Sequence, residues 1–429
     1  MSRRFRCRGE GKLKRGEKAD IGREGGGRNP PAGSRRMRHT MSASAASSAA
    51  TVVALVAFGV SMLSNRATAS SQPNVLLLFV DDLGWYDLAA QGNTSLQGLT
   101  PNIDELRCGM RFTQWLSAAS ICTPSRAALM TGRLPVRYGM STDDPNQRVL
   151  SRAAPGGIPH SEVTIAEVLR HEGYATGLVG KWHLGIGDGN RHLPTRHGFE
   201  RYYGMPITNV QTCKPGKTIF VHSSIELFFL SKAYHGLLIA LLCMLAMFKC
   251  MPIFRKRPEL MRVGIALLSL GAYAGLYYMK TYTLLNDKMC LLYRGENIAQ
   301  QPVNLFNMTQ RLTADAQQFM AKSMEEGKPW FLMMSYLKMH TALFTNPEFR
   351  NKGGTAKAYG DNLVELDWSV GALVETLRSS GHLENTIILF TSDNGPFLER
   401  YEEGGSAGPL RGGKGTNWEG GIRVPGIAY

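Results

Sequence analysis

Only seven of the 429 residues are cysteine, too few for a chain held together as a disulfide scaffold. No internal repeat is visible, and thiol or imidazole ligands at metal spacing are absent, which argues against zinc. Acidic residues are in deficit, 34 against 49 Lys and Arg, and the net charge of +15 would ordinarily raise nucleic acid as a partner. The position of that charge removes this reading. Residues 1–38 hold 13 basic side chains and four acids (Glu10, Glu17, Asp20, Glu24), so +9 of the +15 sits in the leader. The remainder is unexceptional for a globular body, and no nucleic-acid partner is expected. Apolar residues, by contrast, are plentiful at 43% and gathered into long runs, which excludes a disordered or collagen-like chain. The length allows a large core in roughly two to three domains.

Residues 1–48 begin rich in Gly, Arg and Lys and show no apolar periodicity, so they read as a basic disordered leader unable to bury enough surface to offset chain entropy. Arg35, Arg36 and Arg38 then precede a small-residue stretch, an apolar run at 51–63 and Ala67-Thr68-Ala69, the form of a signal-peptidase site. Residues 49–69 are therefore expected to act as a secretory signal, cleaved or retained as an anchor. The depth of this signal is explained if translation begins at Met37 or Met41. Two sequons, at Asn93 and Asn307, fit a lumenal, glycosylated body.

Residues 233–254 carry one charge, Lys249, and residues 263–285 carry one, Lys280. At 1.5 Å per residue each segment makes a helix about 33 Å long, enough to cross a bilayer core. The connection at 255–262 holds four basic residues and one acid, which puts the tip of this hairpin (233–285) on the cytosolic side and the flanking body in the lumen. Gly264, Ser269, Gly271, Ala272, Ala274 and Gly275 would let the second helix approach the first closely. A buried helical pair is the alternative. Cys213 and Cys290 bracket the insertion, and in an oxidising lumen a disulfide between them would staple its base. Cys243 and Cys250, inside the apolar helix, read as free thiols.

In the body, 74–80 is a continuous apolar run ending on Asp81-Asp82, and 386–390 is another, followed by Ser392-Asp393-Asn394-Gly395. Such runs suit strands buried on both faces of a mainly parallel sheet, and polar clusters at their C-terminal ends are where open α/β sheets place their sites. Residues 164–172 read as a helix with a Thr164/Glu167 capping box and Gly173 as its stop, feeding a strand at 175–179 and then Gly180-Lys181-Trp182-His183. A strand at 329–337 leads to His340. Leu363, Leu366, Val370, Leu373, Val374 and Leu377 form one helical stripe before the 386 strand. Strand, polar tip and helix recur, the pattern of a doubly wound α/β domain.

The sharpest motif is Cys122-Thr123-Pro124-Ser125-Arg126-Ala127-Ala128-Leu129-Met130-Thr131-Gly132. It resembles the sulfatase signature C-x-P-S-R-x-x-L-x-T-G at every fixed position. The resemblance implies an alkaline-phosphatase-like fold, and oxidation of Cys122 in the endoplasmic reticulum to formylglycine (3-oxoalanine) by the formylglycine-generating enzyme. The hydrated aldehyde carries two hydroxyls on one carbon. One attacks sulfur and displaces the alcohol; the other, deprotonated, re-forms the aldehyde and expels sulfate, a step a serine could not complete. A helix opening at Pro124 would aim its amides at the sulfate, and Arg126 would hold hydrate and anion.

The same resemblance assigns the other motifs. Asp81, Asp82, Asp393 and Asn394 are oxygen donors suited to a hard divalent ion, by resemblance one calcium. Lys181 and Lys414 match sulfate-binding lysines, and His183 matches a histidine that hydrogen-bonds formylglycine. His340 matches the histidine placed to protonate the leaving oxygen. Many family members carry a second histidine where this chain has Lys338. The similarity runs from about Asn74 to the last residue, within a catalytic domain set at 70–429. The hairpin between Cys213 and Cys290 points to the steroid sulfatase group and its arylsulfatase relatives. That implies a membrane-bound enzyme of the endoplasmic reticulum or another secretory-pathway membrane, acting on sulfated amphiphilic small molecules. Members of this group continue into a smaller C-terminal domain that is expected to be absent here. Two other readings remain: a truncated, non-catalytic sulfatase-like protein, and a phosphatase or phosphodiesterase on the same fold.

Overall fold

Six of the seven residues of β1 (Asn74–Val80) are apolar, a composition stable in a strand only when both faces are covered. The computed structural model, which describes residues 72–141, 149–150, 156–209, 213 and 290–429 with isolated helical positions between 259 and 273, places β1 at the centre of a sheet. The chain continues through α1 (Pro101–Leu106), β2 (Met110–Phe112), α2 (Cys122–Thr131), α3 (Ile165–His171), β3 (Ala175–Gly180), β4 (Arg201–Gly204), β5 (Leu292–Arg294) and β6 (Asn297–Gln300). It then forms α4 (Met308–Glu325), β7 (Trp330–Ser335), α5 (Lys357–Ser379), β8 (Thr386–Ser392), α6 (Glu419–Ile422) and β9 (Gly426–Ala428).

The nine strands lie in the order β2-β9-β8-β1-β7-β3-β4-β5-β6. The central five are parallel, with Leu77 beside Met333 of β7 and Leu389 of β8. Both edges are antiparallel, so the sheet is mixed around a parallel centre. Alternation along β1 divides the core. Leu76, Leu78 and Val80 join the cluster containing Leu312 of α4 and the Leu363 to Leu377 stripe of α5, whereas Leu77 and Phe79 join Ala127 and Met130 of α2 and Ala166 of α3. Helices thus cover both faces. All six stripe residues of α5 are buried, each worth about 2 kcal/mol of apolar transfer.

The capping box at α3 is complete: the Glu167 amide donates to Thr164 Oγ1 at 3.2 Å and the Thr164 amide to Glu167 Oε2 at 2.7 Å. The signature helix begins two residues earlier than the sequence suggests, at Cys122, with Ile121 extended before it. Pro124 is accommodated because the first-turn nitrogens need no intrahelical partner.

Cys213 and Cys290 are joined by a disulfide that closes a separation of 77 residues. The hairpin between them lies outside the described residues except for isolated positions, at which Val263, Leu267, Leu270 and Tyr273 are helical and 55–67% exposed. Among the described residues no helix is long and apolar enough to cross a membrane. The leader, the signal segment, Cys243 and Cys250 also lie outside them.

Candidate active site

The C-terminal ends of β1 and β8, neighbours in the sheet, bring Asp81-Asp82 beside Asp393-Asn394. Asp82 adopts a φ of 58°, and its amide donates to Asp393 Oδ1 at 3.1 Å. Asn394 Nδ2 donates to Asp82 Oδ1 at 2.8 Å. The first residue of α2, Cys122, meets the same edge, its Sγ 3.5 Å from Asp81 Oδ1.

One turn into α2, Arg126 is fully buried and lies between carboxylates, with hydrogen bonds from Nε and NH1. Nε and NH2 each lie 2.9 Å from Asp393 Oδ2, NH2 is 3.5 Å from Asp81 Oδ1, and NH1 donates to Ser335 Oγ at 2.8 Å. Ser335 Oγ in turn donates to the Lys181 carbonyl at 2.6 Å. This residue, the last of β7, carries no motif and escapes a reading of the sequence. Lys181 follows Gly180, whose φ of 113° and closeness to Ser335 leave no room for a side chain: a Cβ there would lie 1.8 Å from the Ser335 carbonyl oxygen. The turn directs Lys181 Nζ to Asp81 Oδ2 at 2.5 Å, and Lys414 Nζ reaches Asp82 Oδ1 at 2.6 Å. Three buried carboxylates thus face three buried cations, the arrangement that makes charge tolerable away from water.

His183, at φ 61°, holds Nε2 3.1 Å from the Leu150 carbonyl and has no partner at Nδ1. His340 Nε2 is 3.9 Å from Asp82 Oδ2, and its Nδ1 is likewise buried without a partner. Lys338 turns away from the site. Its Nζ contacts the Phe344 carbonyl at 2.5 Å, Asn362 Oδ1 at 2.8 Å and Glu365 Oε2 at 3.1 Å, the last two on α5. Every site residue expected from the sequence except the sequon asparagines and the cysteine bridge is gathered here. Asn93 lies on a partly exposed loop with Oδ1 accepting from the Ser95 amide, and Asn307 is half-buried ahead of α4.

Burial dominates the proton affinities. It pushes the Cys122 thiol up to about 12 in spite of Lys181 and Lys414, so the unmodified side chain is a thiol and a poor nucleophile at neutral pH. Burial, then Asp81, raises Asp393. Burial alone would raise Asp82 too, but the positive charge around it, Lys414 first, outweighs burial and holds that carboxylate below its usual range. Lys414, which burial would lower, is raised by Asp82. Burial and the cations Lys181 and Arg126 drive His183 well down, and burial and Lys414 do the same to His340. Both imidazoles are therefore neutral.

The oxygen donors fit a hard divalent cation. Ligand atoms of Asp81, Asp82, Asp393 and Cys122 lie within 4.8 Å of one another, and Asn394 Oδ1 is buried with no partner, an orphaned acceptor at the same edge. The absence of imidazole ligands at metal spacing, read from the sequence, does not hold for the chain as a whole. His192 and His197 are five residues apart, and the fold brings His160, far upstream, to within 4.8 Å of both. Two of the three lie in a loop and the third comes from another, so no single local motif reveals the group.

A cavity of about 700 Å³ lies at the base of the insertion, lined by Cys213, Val303, Leu305, Phe306, Leu343 and Phe344. Leu343 and Phe344 follow His340 by three and four residues.

The Sulfatase family model matches residues 73–429. Over 370 residues the chain is 40% identical to steryl-sulfatase of Homo sapiens, a match covering 84% of this chain and 62% of that protein. It is 38% identical to arylsulfatase H of Canis lupus familiaris, covering 84% of this chain and 64% of that one. Among solved structures, PsFucS1 sulfatase from Pseudoalteromonas sp. superposes with a TM-score of 0.61 at 32% identity, covering 87% of this chain and 65% of that chain. The chain spans a little under two thirds of the length of these relatives.

Proposed function

Because the chain belongs to the sulfatase family, we propose that it hydrolyses the sulfate esters of aryl or steroid-like alcohols, with residue 122 as formylglycine and one calcium ion held by Asp81, Asp82, Asp393 and Asn394. The observation that carries this reading is the position of Cys122, at the first turn of α2, within reach of three carboxylates and three cations. Formylglycine supplies a geminal diol, one hydroxyl to attack sulfur and one to expel sulfate; the cation supplies charge to the sulfate oxygens.

The chain's own residues do the remainder. Lys181, Lys414 and Arg126 bring positive charge to the anion in a site closed to water, where each contact is worth more than in solution. His340 holds the proton for the departing oxygen. Its neutrality at rest follows from burial and from Lys414 and Lys181, so a sulfate between those cations would offset them and raise the ring's affinity for a proton on binding. His183 stands beside α2, with Thr123 Oγ1 donating to its carbonyl at 3.0 Å, and is placed to hydrogen-bond residue 122. Residues 122 to 127 are all buried, so oxidation of Cys122 must precede folding, when the formylglycine-generating enzyme can still read the segment.

Amphiphilic substrates are favoured by the cavity beside the His340 loop, whose volume suits a ring system and whose lining joins apolar side chains to Asn304, Arg350 and Asp361. The exposed apolar positions of the second predicted hairpin helix support a membrane-anchored, lumenal enzyme of the secretory pathway. Mass spectrometry of the Cys122 peptide from protein made in that pathway, paired with release of sulfate from an aryl sulfate, tests the proposal. Conversion to formylglycine with turnover is expected, and Cys122→Ser should accumulate a covalent sulfate. An unmodified thiol in active protein, or free turnover by the serine variant, overturns the diol mechanism.

A further inference from the structure

Among the described buried side chains without a hydrogen-bond partner, His197 is the histidine in which both ring nitrogens are unmet. His197 is 0% exposed, and both of its ring nitrogens lack a partner, an arrangement that costs about 1–3 kcal/mol unless something fills it. Its ring stacks on His160 at 4.7 Å and lies 6.1 Å from that of His192, with ligand nitrogens of all three within 4.8 Å.

The backbones that carry these rings are fixed. The Ile158 amide donates to the Leu184 carbonyl at 2.9 Å, the His192 amide to Ile186 at 2.8 Å, and Thr164 Oγ1 to the His197 carbonyl at 2.8 Å. His192 Nδ1 lies 3.0 Å from the Ile158 carbonyl, so donation there fixes the tautomer and leaves Nε2 with its lone pair free, the orientation a ligating histidine requires. His160 is exposed and can rotate. The three rings lie nearly parallel, at 10–18° to one another, so a tetrahedral ion needs the exposed His160 to turn out of the stack as the nitrogens close to about 3.4 Å.

We propose that His160, His192 and His197 bind a borderline transition-metal ion of the zinc class, at a site separate from the oxygen donors of β1 and β8. Three neutral nitrogen ligands select such an ion over calcium or magnesium, and the exposure of His160 leaves a fourth position for water. Trp182, between Lys181 and His183 in sequence, has its ring 5.9 Å from that of His197, and its Nε1 donates to the His192 carbonyl at 2.8 Å. The ion would therefore stiffen the segment that presents Lys181 and His183. It is a positioning site and not a catalytic one.

The test uses the untagged full chain in detergent, in a Cys122→Ala background and saturated with calcium, so that neither the thiol nor the aspartates contribute. Zinc alone is titrated, with metal analysis after dialysis, the visible spectrum of the cobalt form and the thermal midpoint as readouts. One zinc per chain and a raised midpoint are expected. Loss of the exposed ligand in His160→Ala should weaken zinc binding at least about tenfold and abolish the shift in midpoint. No zinc near one equivalent in the parent, or an affinity changed less than tenfold in His160→Ala, overturns the proposal.

Discussion

Lys338→Met tests the buried ion pair behind the site. Both Lys338 and Glu365 are 1% exposed, and removing one partner of such a pair strands the other, at a cost of about 3–5 kcal/mol. Glu365 would keep the Asn346 amide at 3.0 Å, which places the expected loss near the lower end, about 3 kcal/mol. The pair is expensive even when intact. Burial lowers Lys338 to about 8 from 10.5 in spite of Glu365, which opposes the shift. Between those values the unfolded chain holds a proton that the folded chain has released, so the Lys338 contribution rises with pH, by roughly 3 kcal/mol over the whole window and fully only above it. The variant lacks this group and with it this pH dependence. The stability gap between parent and variant, read from urea unfolding in detergent, should therefore widen from pH 7 to pH 9. Replacing both partners, as Lys338→Met with Glu365→Leu, should recover most of the loss. A single-variant cost under about 1 kcal/mol, or a gap that narrows with rising pH, refutes the reasoning.

His340→Ala should lower kcat about 10²–10⁴-fold on an alkyl sulfate and far less on an aryl sulfate whose leaving group needs no proton; equal losses on both would remove His340 from the general-acid role. Lys414→Ala removes a cation bonded to Asp82 at 2.6 Å, and a fall of about 10–100-fold in kcat/KM is expected, measured with excess calcium present. Gly180→Ala, with its φ of 113° and its clash on the Ser335 carbonyl, should cost more than about 3 kcal/mol or abolish folding, seen as loss of secreted protein. Replacing Cys213 and Cys290 with Ala reopens a separation of 77 residues, worth about 4.5 kcal/mol if the insert is a flexible loop. A hairpin whose helices already hold their ends together would lose much less, so the unfolding midpoint in detergent discriminates between the two.

The parts of this fold that the sequence discloses are those whose physics is local. Strands β1, β3 and β7 are covered on both faces and β8 over most of its length, so their composition alone betrays them, and the α5 stripe repeats at helical spacing because one face packs on that sheet. The four outer strands β2, β9, β5 and β6 run three or four residues and expose side chains such as Met110 and Ile298, so no period forms; β2 finds β9 only far along the chain. The same division holds at the site. Cys122 and Arg126 share a motif and are legible, whereas Ser335 acquires its role only when β7 is laid beside β1 and β3. His160 likewise reaches His192 and His197 only because the chain around Gly157 bridges to Gly185. Lys338 shows what each level contributes. Its sequence context marks a departure from the related pattern of a second histidine, which taken alone suggests an altered active site. In the fold, Glu365 and Asn362 draw the ammonium into α5, and the change of side chain is accompanied by a change of direction. A cation that points away cannot serve the leaving oxygen, so under the proposed mechanism that task would fall at this end of β7 to His340, which faces Asp82 and Lys414 with an unpartnered nitrogen.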